Sequence, residues 1–212
     1  MSSPKIRSVR VRTVRVPLPV PHTTASGTVA ESPLVLTDID CDDGSIGHSI
    51  VFTYTPAALK PVADLVAAFG EWINGDAAAP YDVEQKLARR LRLLGPQGLT
   101  GIAVAAIDMA LWDAAARRQQ VSLTQLLGGG AKPIDAYGAV GYDGIDISAH
   151  TDEQWAKRGF KGVKAKIGYP SVAEDVAVIR AMRAAAGPEM AIMVDYNQCL
   201  TPTEAVQRMR VL

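Results

Sequence analysis

Cysteine is scarce in this sequence: Cys41 and Cys199 are the only two in 212 residues, with no Cys-x-x-Cys spacing. That excludes a disulfide framework and predicts free thiols in a reducing compartment, with the cytoplasm as the default location. Net charge is lacking as well. Lys plus Arg and Asp plus Glu each number 22, so no field is set up that would draw the chain to nucleic acid or to an anionic membrane. The N-terminus passes from Met1-Ser2-Ser3-Pro4-Lys5 straight into alternating arginine and valine, without the apolar core of a signal peptide. No long hydrophobic run stands out. The most apolar stretch, residues 101–116, is interrupted by Asp108 and Asp113 and reads as too short to span a bilayer. What is present, 48% hydrophobic and 21% charged residues, suffices for a sizeable core in one or two globular domains.

The first 130 residues mix strands and helices. Over residues 6–16 valines alternate with arginines, as in a half-buried strand, with a slip of phase near Thr13 that a bulge would absorb. Residues 17–32 are rich in Pro, Thr, Ser and Gly and predict a long loop, of the kind that serves as a lid over a binding site. Residues 34–41 and 45–54 flank Asp42-Asp43-Gly44 and predict a hairpin, because Asp-Gly supplies the positive φ that tight turns need. Three antiparallel strands result. Helices are predicted over 56–73, with Leu59, Val62, Ala63, Val66 and Phe69 on one face, and over 81–94, with Val83, Leu87, Leu91 and Leu94. A third, over 100–119, carries alanine on nearly every face, which suits close packing on both sides, between two domains. Lys132-Pro133 is the natural boundary, dividing the chain into residues 1–132 and 133–212.

Beyond that boundary strands and helices alternate strictly. Strands are predicted over 134–139, 162–166 and 191–194. Helices are predicted over 152–158 with Thr151 and Gln154 as a capping box, from Ser171 with Glu174, and from Thr201 with Glu204. Strands at roughly thirty-residue spacing read as βα units of a barrel, whose active sites gather at the carboxyl ends of the strands. Lys164 and Lys166 project from one face of the second strand, and Asp195 and Asn197 end the third in the same way. Lys-x-Lys alone is a common surface pattern. Two cations and a carboxylate converging on an inward surface are not, because buried charges need partners or a metal.

The segments Ser32-Pro33-Leu34-Val35-Leu36, Gly47-His48-Ser49, Tyr54-Thr55-Pro56, Ala106-Ile107-Asp108-Met109-Ala110-Leu111-Trp112-Asp113, Lys164-Ala165-Lys166-Ile167-Gly168-Tyr169-Pro170 and Ile192-Met193-Val194-Asp195-Tyr196-Asn197-Gln198 resemble the mandelate racemase and muconate lactonizing group of the enolase superfamily. The resemblance covers the whole chain. It implies an α+β capping domain followed by the first βα units of a modified TIM-type (β/α)7β barrel. It also implies a homo-oligomer, an essential Mg²⁺, and a reaction that removes the proton α to the carboxylate of a small-molecule substrate. Lys166 would be the base, Lys164 would neutralise the substrate carboxylate, Asp195 would be a metal ligand, and Asn197 would help hold the substrate. The residue types suit these roles. A lysine is a poor base at its free pKa of about 10.4, but a neighbouring ammonium and a divalent cation disfavour its charged form.

Two departures bear on the substrate. Ala139 stands where the group's mandelate racemases place a serine against the substrate carboxylate, and His22 stands where they carry an apolar lid residue. His22 and Tyr54 are candidate substrate contacts; an exposed histidine without function is an equal reading for His22. His48 and His150 are read as structural or surface residues. A barrel domain needs roughly 200 to 250 residues, so the expectation is that this sequence is the front part of a longer polypeptide, inactive alone, with further metal ligands outside it. The readings left open are racemisation of an α-hydroxy acid, dehydration of an acid sugar, and an inactive fragment or non-catalytic homologue; a Schiff-base aldolase is more distant.

Overall fold

A computed structural model describes residues 3–212 and contains two compact units. One comprises the chain up to Leu18 with Glu31–Ala131, the other Pro19–Ala30 with Lys132–Leu212. In the sequence the division falls at 132/133; in the fold the short segment Pro19–Ala30 goes with the second unit.

The first unit is built on a three-stranded sheet of order β1 (Ile6–Thr24), β2 (Gly27–Cys41), β3 (Ile46–Phe52). β2 and β3 pair antiparallel from Leu34↔Phe52 to Asp40↔Ile46. Their turn closes with Cys41 N–H donating to Ser45 O at 2.9 Å and Gly44 at φ 84°. Alternation puts Val35, Thr37, Ile39 and Cys41 on the inner face. The predicted loop over residues 17–32 is not a loop: β1 and β2 run on through it as a long hairpin turning at Ala25-Ser26. Pro17, Pro19 and Pro21 favour a loop by composition but stand within β1. They share one parity, so their missing N–H groups all lie along one side of the strand, and β1 is an edge strand with such a side to spare.

Against this sheet pack α1 (Pro56–Ile73), α2 (Pro80–Arg90) and α3 (Gly98–Gln119), with a single-turn α4 (Leu123–Leu126). Thr55 caps α1 by accepting from Ala57 N–H, and the helix buries Leu59, Val62, Val66, Phe69 and Ile73 at helical spacing. Removing one large member, as in Phe69→Ala, would cost about 3–5 kcal/mol. α2 ends earlier than its pattern predicts. Leu91 is its C-cap, and Leu94, expected in the core, is 72% exposed. α3 extends beyond the apolar stretch 101–116 at both ends, and its 22 residues are long and apolar enough to cross a bilayer by length and composition, contrary to the expectation from that stretch. Here Ala103, Ala106, Ile107, Ala110, Leu111 and Ala114 make a buried face. Small residues serve close approach. A Cβ on Gly47 of β3 would fall 1.9 Å from Ala110 O, so strand and helix touch backbone to backbone.

The second unit has three parallel strands, β4 (Gly138–Val140), β5 (Gly162–Lys166) and β6 (Ala191–Asp195), in that order, each followed by a helix: α5 (Gly144–Lys157), α6 (Val172–Ala186) and α7 (Pro202–Met209). Its core is Val140, Val163, Ala165, Ile167, Val178, Met182 and Met190. This is the start of a βα region; three strands close no barrel. The capping boxes Ser171/Glu174 and Thr201/Glu204 form as predicted. Two predictions here are corrected. The first strand is only three residues long, with Ile134 exposed before it. And α5 starts at Gly144, so Thr151 lies mid-helix and caps nothing; an apparent capping box inside a helix loses to the packing of the whole element.

Candidate active site

The parallel register of the second unit sets Ala139 beside Lys164, Lys164 beside Met193, and Lys166 beside Asp195. Side chains on one face of neighbouring strands therefore meet at their carboxyl ends. Lys166 Nζ donates to Asp195 Oδ2 at 2.6 Å, and Lys164 Nζ lies 3.5 Å from the same oxygen. Lys166 is 12% exposed and Asp195 28%, so this cluster is shielded without being sealed. The Asp195 carboxyl is held below the usual carboxylate range, first by the Lys166 ammonium and then by the backbone N–H of Asn197. Lys164 is raised above the ordinary lysine range, chiefly by the Tyr137 hydroxyl and then by Asp195, and its ammonium sits 5.4 Å from the Tyr137 ring centroid. It is a persistent cation, suited to an anionic ligand.

Asn197 does not share a strand face with Asp195, because β6 ends at Asp195. Asn197 and Gln198 both adopt left-handed backbone, at φ 48° and 56°. Asn197 N–H donates to Asp195 Oδ1 at 2.9 Å, and among the described residues its buried Oδ1 has no hydrogen-bond partner.

Sequence reasoning missed what supports these residues. Asp175 of α6 is fully buried. Its Oδ1 accepts from Gly168 N–H and Tyr169 N–H, both at 2.9 Å, and its Oδ2 from the Tyr196 hydroxyl at 2.8 Å and Arg208 Nη1 at 2.5 Å. One carboxylate thus ties together the chain after β5, the end of β6 and α7. Burial, and then Asp175, push the Tyr196 hydroxyl up to about 12, so it stays a donor. A buried aspartate needing donors is a general signal, but two of the four donors here are backbone N–H groups that no sequence pattern names, and the other two, on Tyr196 and Arg208, are distant in sequence. Tyr137 could have been found by alternation, two residues before Ala139.

The remaining predicted residues are not brought to the cluster by any recorded contact. His22 is exposed on β1, and Tyr54 is a 72% exposed residue of the first unit, at φ 62°, its ring 4.9 Å from that of Phe52. His48 is structural: its Nδ1 lies 2.7 Å from Asp38 Oδ1 across the β2–β3 pair. For an oxygen-seeking divalent cation, the Asp195 carboxylate and the unpartnered Asn197 carbonyl oxygen are the right donor types. They are part of a shell only, since no group of three or more His, Cys, Asp or Glu converges among the described residues.

Comparison with known proteins bears on this geometry. The model of the mandelate racemase / muconate lactonizing enzyme N-terminal domain matches residues 6–128, and that of the enolase C-terminal domain-like family matches residues 146–212. D-galactarolactone cycloisomerase of Agrobacterium fabrum is 35% identical over 95% of this chain and 54% of its own length. Arabinonate dehydratase of Saccharolobus solfataricus is 30% identical over 87% of this chain and 51% of its own length. A Bradyrhizobium enolase, crystallised with magnesium and mandelic acid, superposes with a TM-score of 0.88 at 40% identity, covering all of this chain and 59% of that one. The chain thus spans about half the length of the curated relatives it matches. It belongs to the mandelate racemase / muconate lactonizing enzyme family of the enolase superfamily.

Proposed function

We propose that the full-length enzyme abstracts the proton α to a carboxylate, with Lys166 as base, and racemises an α-hydroxy acid. The observation that carries this reading is the convergence of Lys166, Lys164 and Asp195 at adjacent parallel strand ends. Lys164, a persistent cation, pairs with the substrate carboxylate and offsets charge as it grows there. Lys166 leaves Asp195 Oδ2, gives its proton to solvent, and as the amine takes the α-proton to become an ammonium. The C–H electron pair passes into the carboxylate to give an enediolate, and a proton returned to the opposite face yields the other enantiomer. Asp195 and the Asn197 side-chain carbonyl oxygen would hold Mg²⁺ together with further oxygen ligands, and the ion would supply positive charge that stabilises the enediolate. The mandelic acid in the Bradyrhizobium structure supports an α-hydroxy acid as substrate.

A second reading has specific support in the cycloisomerase and dehydratase relatives. An acid sugar would lose the same proton, and expulsion of the β-hydroxyl from the enediolate would give a 2-keto acid. The two readings share Lys166, Lys164 and Asp195.

The test is proton NMR of the full-length enzyme in D₂O with Mg²⁺, offered mandelate or an aldonic acid. Loss of the α-proton signal from a hydroxy acid without ketone formation is the expected result; a semicarbazide-reactive product selects dehydration. Lys166→Ala should abolish exchange for one enantiomer while calorimetric Mg²⁺ binding persists. Unchanged exchange in that variant would overturn the assignment of the base.

A further inference from the structure

The turn at Ala25-Ser26 lies in the segment Pro19–Ala30, which folds with the second unit although it is the far end of the first unit's hairpin. Ser26 Oγ donates to the backbone carbonyl of Asn197 at 2.5 Å, across 171 residues of sequence. The turn is internally braced, since Thr24 Oγ1 accepts from Ser26 N–H at 3.2 Å and donates to Gly27 O at 3.0 Å. Ser26 is therefore presented from a stiff tip. On its other side the tip rests against Gly168, at φ 119°, where an added Cβ would come within 2.7 Å of Ala25 Cβ and 3.0 Å of Cys199 Sγ. A side chain there would push the tip away.

What the tip touches is a backbone that needs holding. Asn197 and Gln198 are consecutive non-glycine residues in the left-handed region, a conformation that persists only when its surroundings impose it. Three bonds do so here: Cys199 N–H to Tyr196 O at 3.2 Å, Asn197 N–H to Asp195 Oδ1 at 2.9 Å, and Ser26 Oγ to Asn197 O. The last two pin the two ends of the same residue. If Asn197 relaxes, its N–H turns away from Asp195 Oδ1 and the carboxylate loses one of its two hydrogen bonds, keeping that to Lys166.

We infer that Ser26 is a positioning residue: docking of the hairpin tip holds Asn197 in its left-handed turn, and through Asn197 N–H it sets the orientation of the Asp195 carboxylate. Tip docking and the geometry of the site are then one event. The inference rests on reading Asp195 and Asn197 as site residues for its functional meaning, but its structural content stands apart from activity.

Hydrogen exchange of the purified protein, read by mass spectrometry, tests it. Ser26 is exposed, so Ser26→Ala has no core to disrupt. The variant should speed exchange both in the tip and in the segment 195–199 by roughly fivefold or more, a fold-change typical of coupled local openings. Peptides from β2 and β3 and the overall melting temperature should not move, which a general loss of stability would not allow. Ser26→Thr, which keeps the hydroxyl, should restore protection in both segments. Faster exchange in the tip with segment 195–199 unchanged would overturn the coupling, as would no change in either. A coupled response in this chain, alongside a full-length enzyme that exchanges no α-protons with any acid offered, would leave this inference standing and overturn the catalytic reading instead.

Discussion

Two carboxylates in this molecule each face two cations, and the contrast between them shows what turns a charge cluster into a site. Asp38, within the paired stretch of β2, has a side chain 10% exposed; it meets Arg12 at 3.0 Å, Arg10 at 3.7 Å and its cross-strand partner His48 at 2.7 Å. Asp195 meets Lys166 and Lys164 at the end of β6. The inventories are alike, but the surroundings are not. Around Asp38 the ladder continues on both sides, so the charges serve only to strap β1 to β3 through β2. At Asp195 the strand stops and the backbone swings into two left-handed residues. An amide oxygen there is left buried with no partner among the described residues. Position at a parallel strand end, rather than charge, distinguishes the two.

The sharpest way to break that comparison is to remove each carboxylate in turn. Asp195→Asn should lower α-proton exchange by the full-length enzyme roughly 10²–10³-fold or more, the scale seen when a charge-stabilising group is lost. Asp38→Asn should leave exchange where it was and instead lower the melting temperature, because it weakens the pairing with Arg12, Arg10 and His48. Loss of exchange in Asp38→Asn with Asp195→Asn unaffected would reverse the roles assigned here.

Next in size is the contrast between Asp175 and Asp152, both fully buried on helices of the second unit. Asp175 has four donors, including the Arg208 guanidinium. Asp175→Asn replaces an acceptor with a donor facing Arg208 and should cost about 3–5 kcal/mol, the range for breaking a buried ion pair. Urea unfolding measures it; a midpoint within error of the parent would show that the network is not needed.

How much of this could be read from the chain follows the same division. Lys164, Lys166 and Asp195 were legible because strand alternation and the βα spacing fix which residues meet. The hairpin of β2 and β3 and the two realised capping boxes were legible because their signals are local. What escaped were features set by partners distant in sequence. Pro17, Pro19 and Pro21 read as loop until an edge strand gave them a place. Thr151 read as a cap until Gly144 proved to start its helix. Asn197 was aligned with Asp195 by alternation, and only the backbone shows that alternation has ended. Ser26 bonds to a backbone carbonyl, and Asp175 takes two of its four donors from the backbone, which no side-chain pattern encodes.

Asp152 completes the contrast with Asp175 and gives a pH test. Neither of its oxygens has a hydrogen-bond partner among the described residues, and burial, only partly offset by Arg183, pushes its carboxyl up to about 6. A carboxyl raised on folding costs nothing while it is protonated in both states. Below pH of about 4 the penalty is absent, between about 4 and 6 it grows, and above 6 it is constant. Raising the carboxyl from its ordinary value of about 4 to about 6 corresponds to about 3 kcal/mol. Asp152→Asn should therefore match the parent in stability near pH 4 and exceed it at pH 7.5 by up to that amount. Equal melting temperatures at both pH values would mean that Asp152 finds a partner in solution.

The smallest effect belongs to the Asp38–His48 pair, and its pH dependence runs the other way. The Asp38 carboxyl is lowered, first by the bond to His48 and then, against some desolvation, by Arg12. A carboxyl depressed on folding contributes stability that is fully present above its ordinary range and is lost as pH falls through the depressed folded-state value. His48 is half exposed, so the pair is screened by water. Removing it with His48→Gln should cost only about 0.2–1 kcal/mol, the usual worth of a cross-strand polar pair. That difference from the parent should shrink as pH is lowered past the carboxylate range, since the protonated Asp38 has little left to lose. Alpha-proton exchange by the full-length enzyme should be untouched at every pH. A variant that altered the exchange profile while leaving stability intact would place His48 in the chemistry, and the strap in the first unit would have to be read as part of the site.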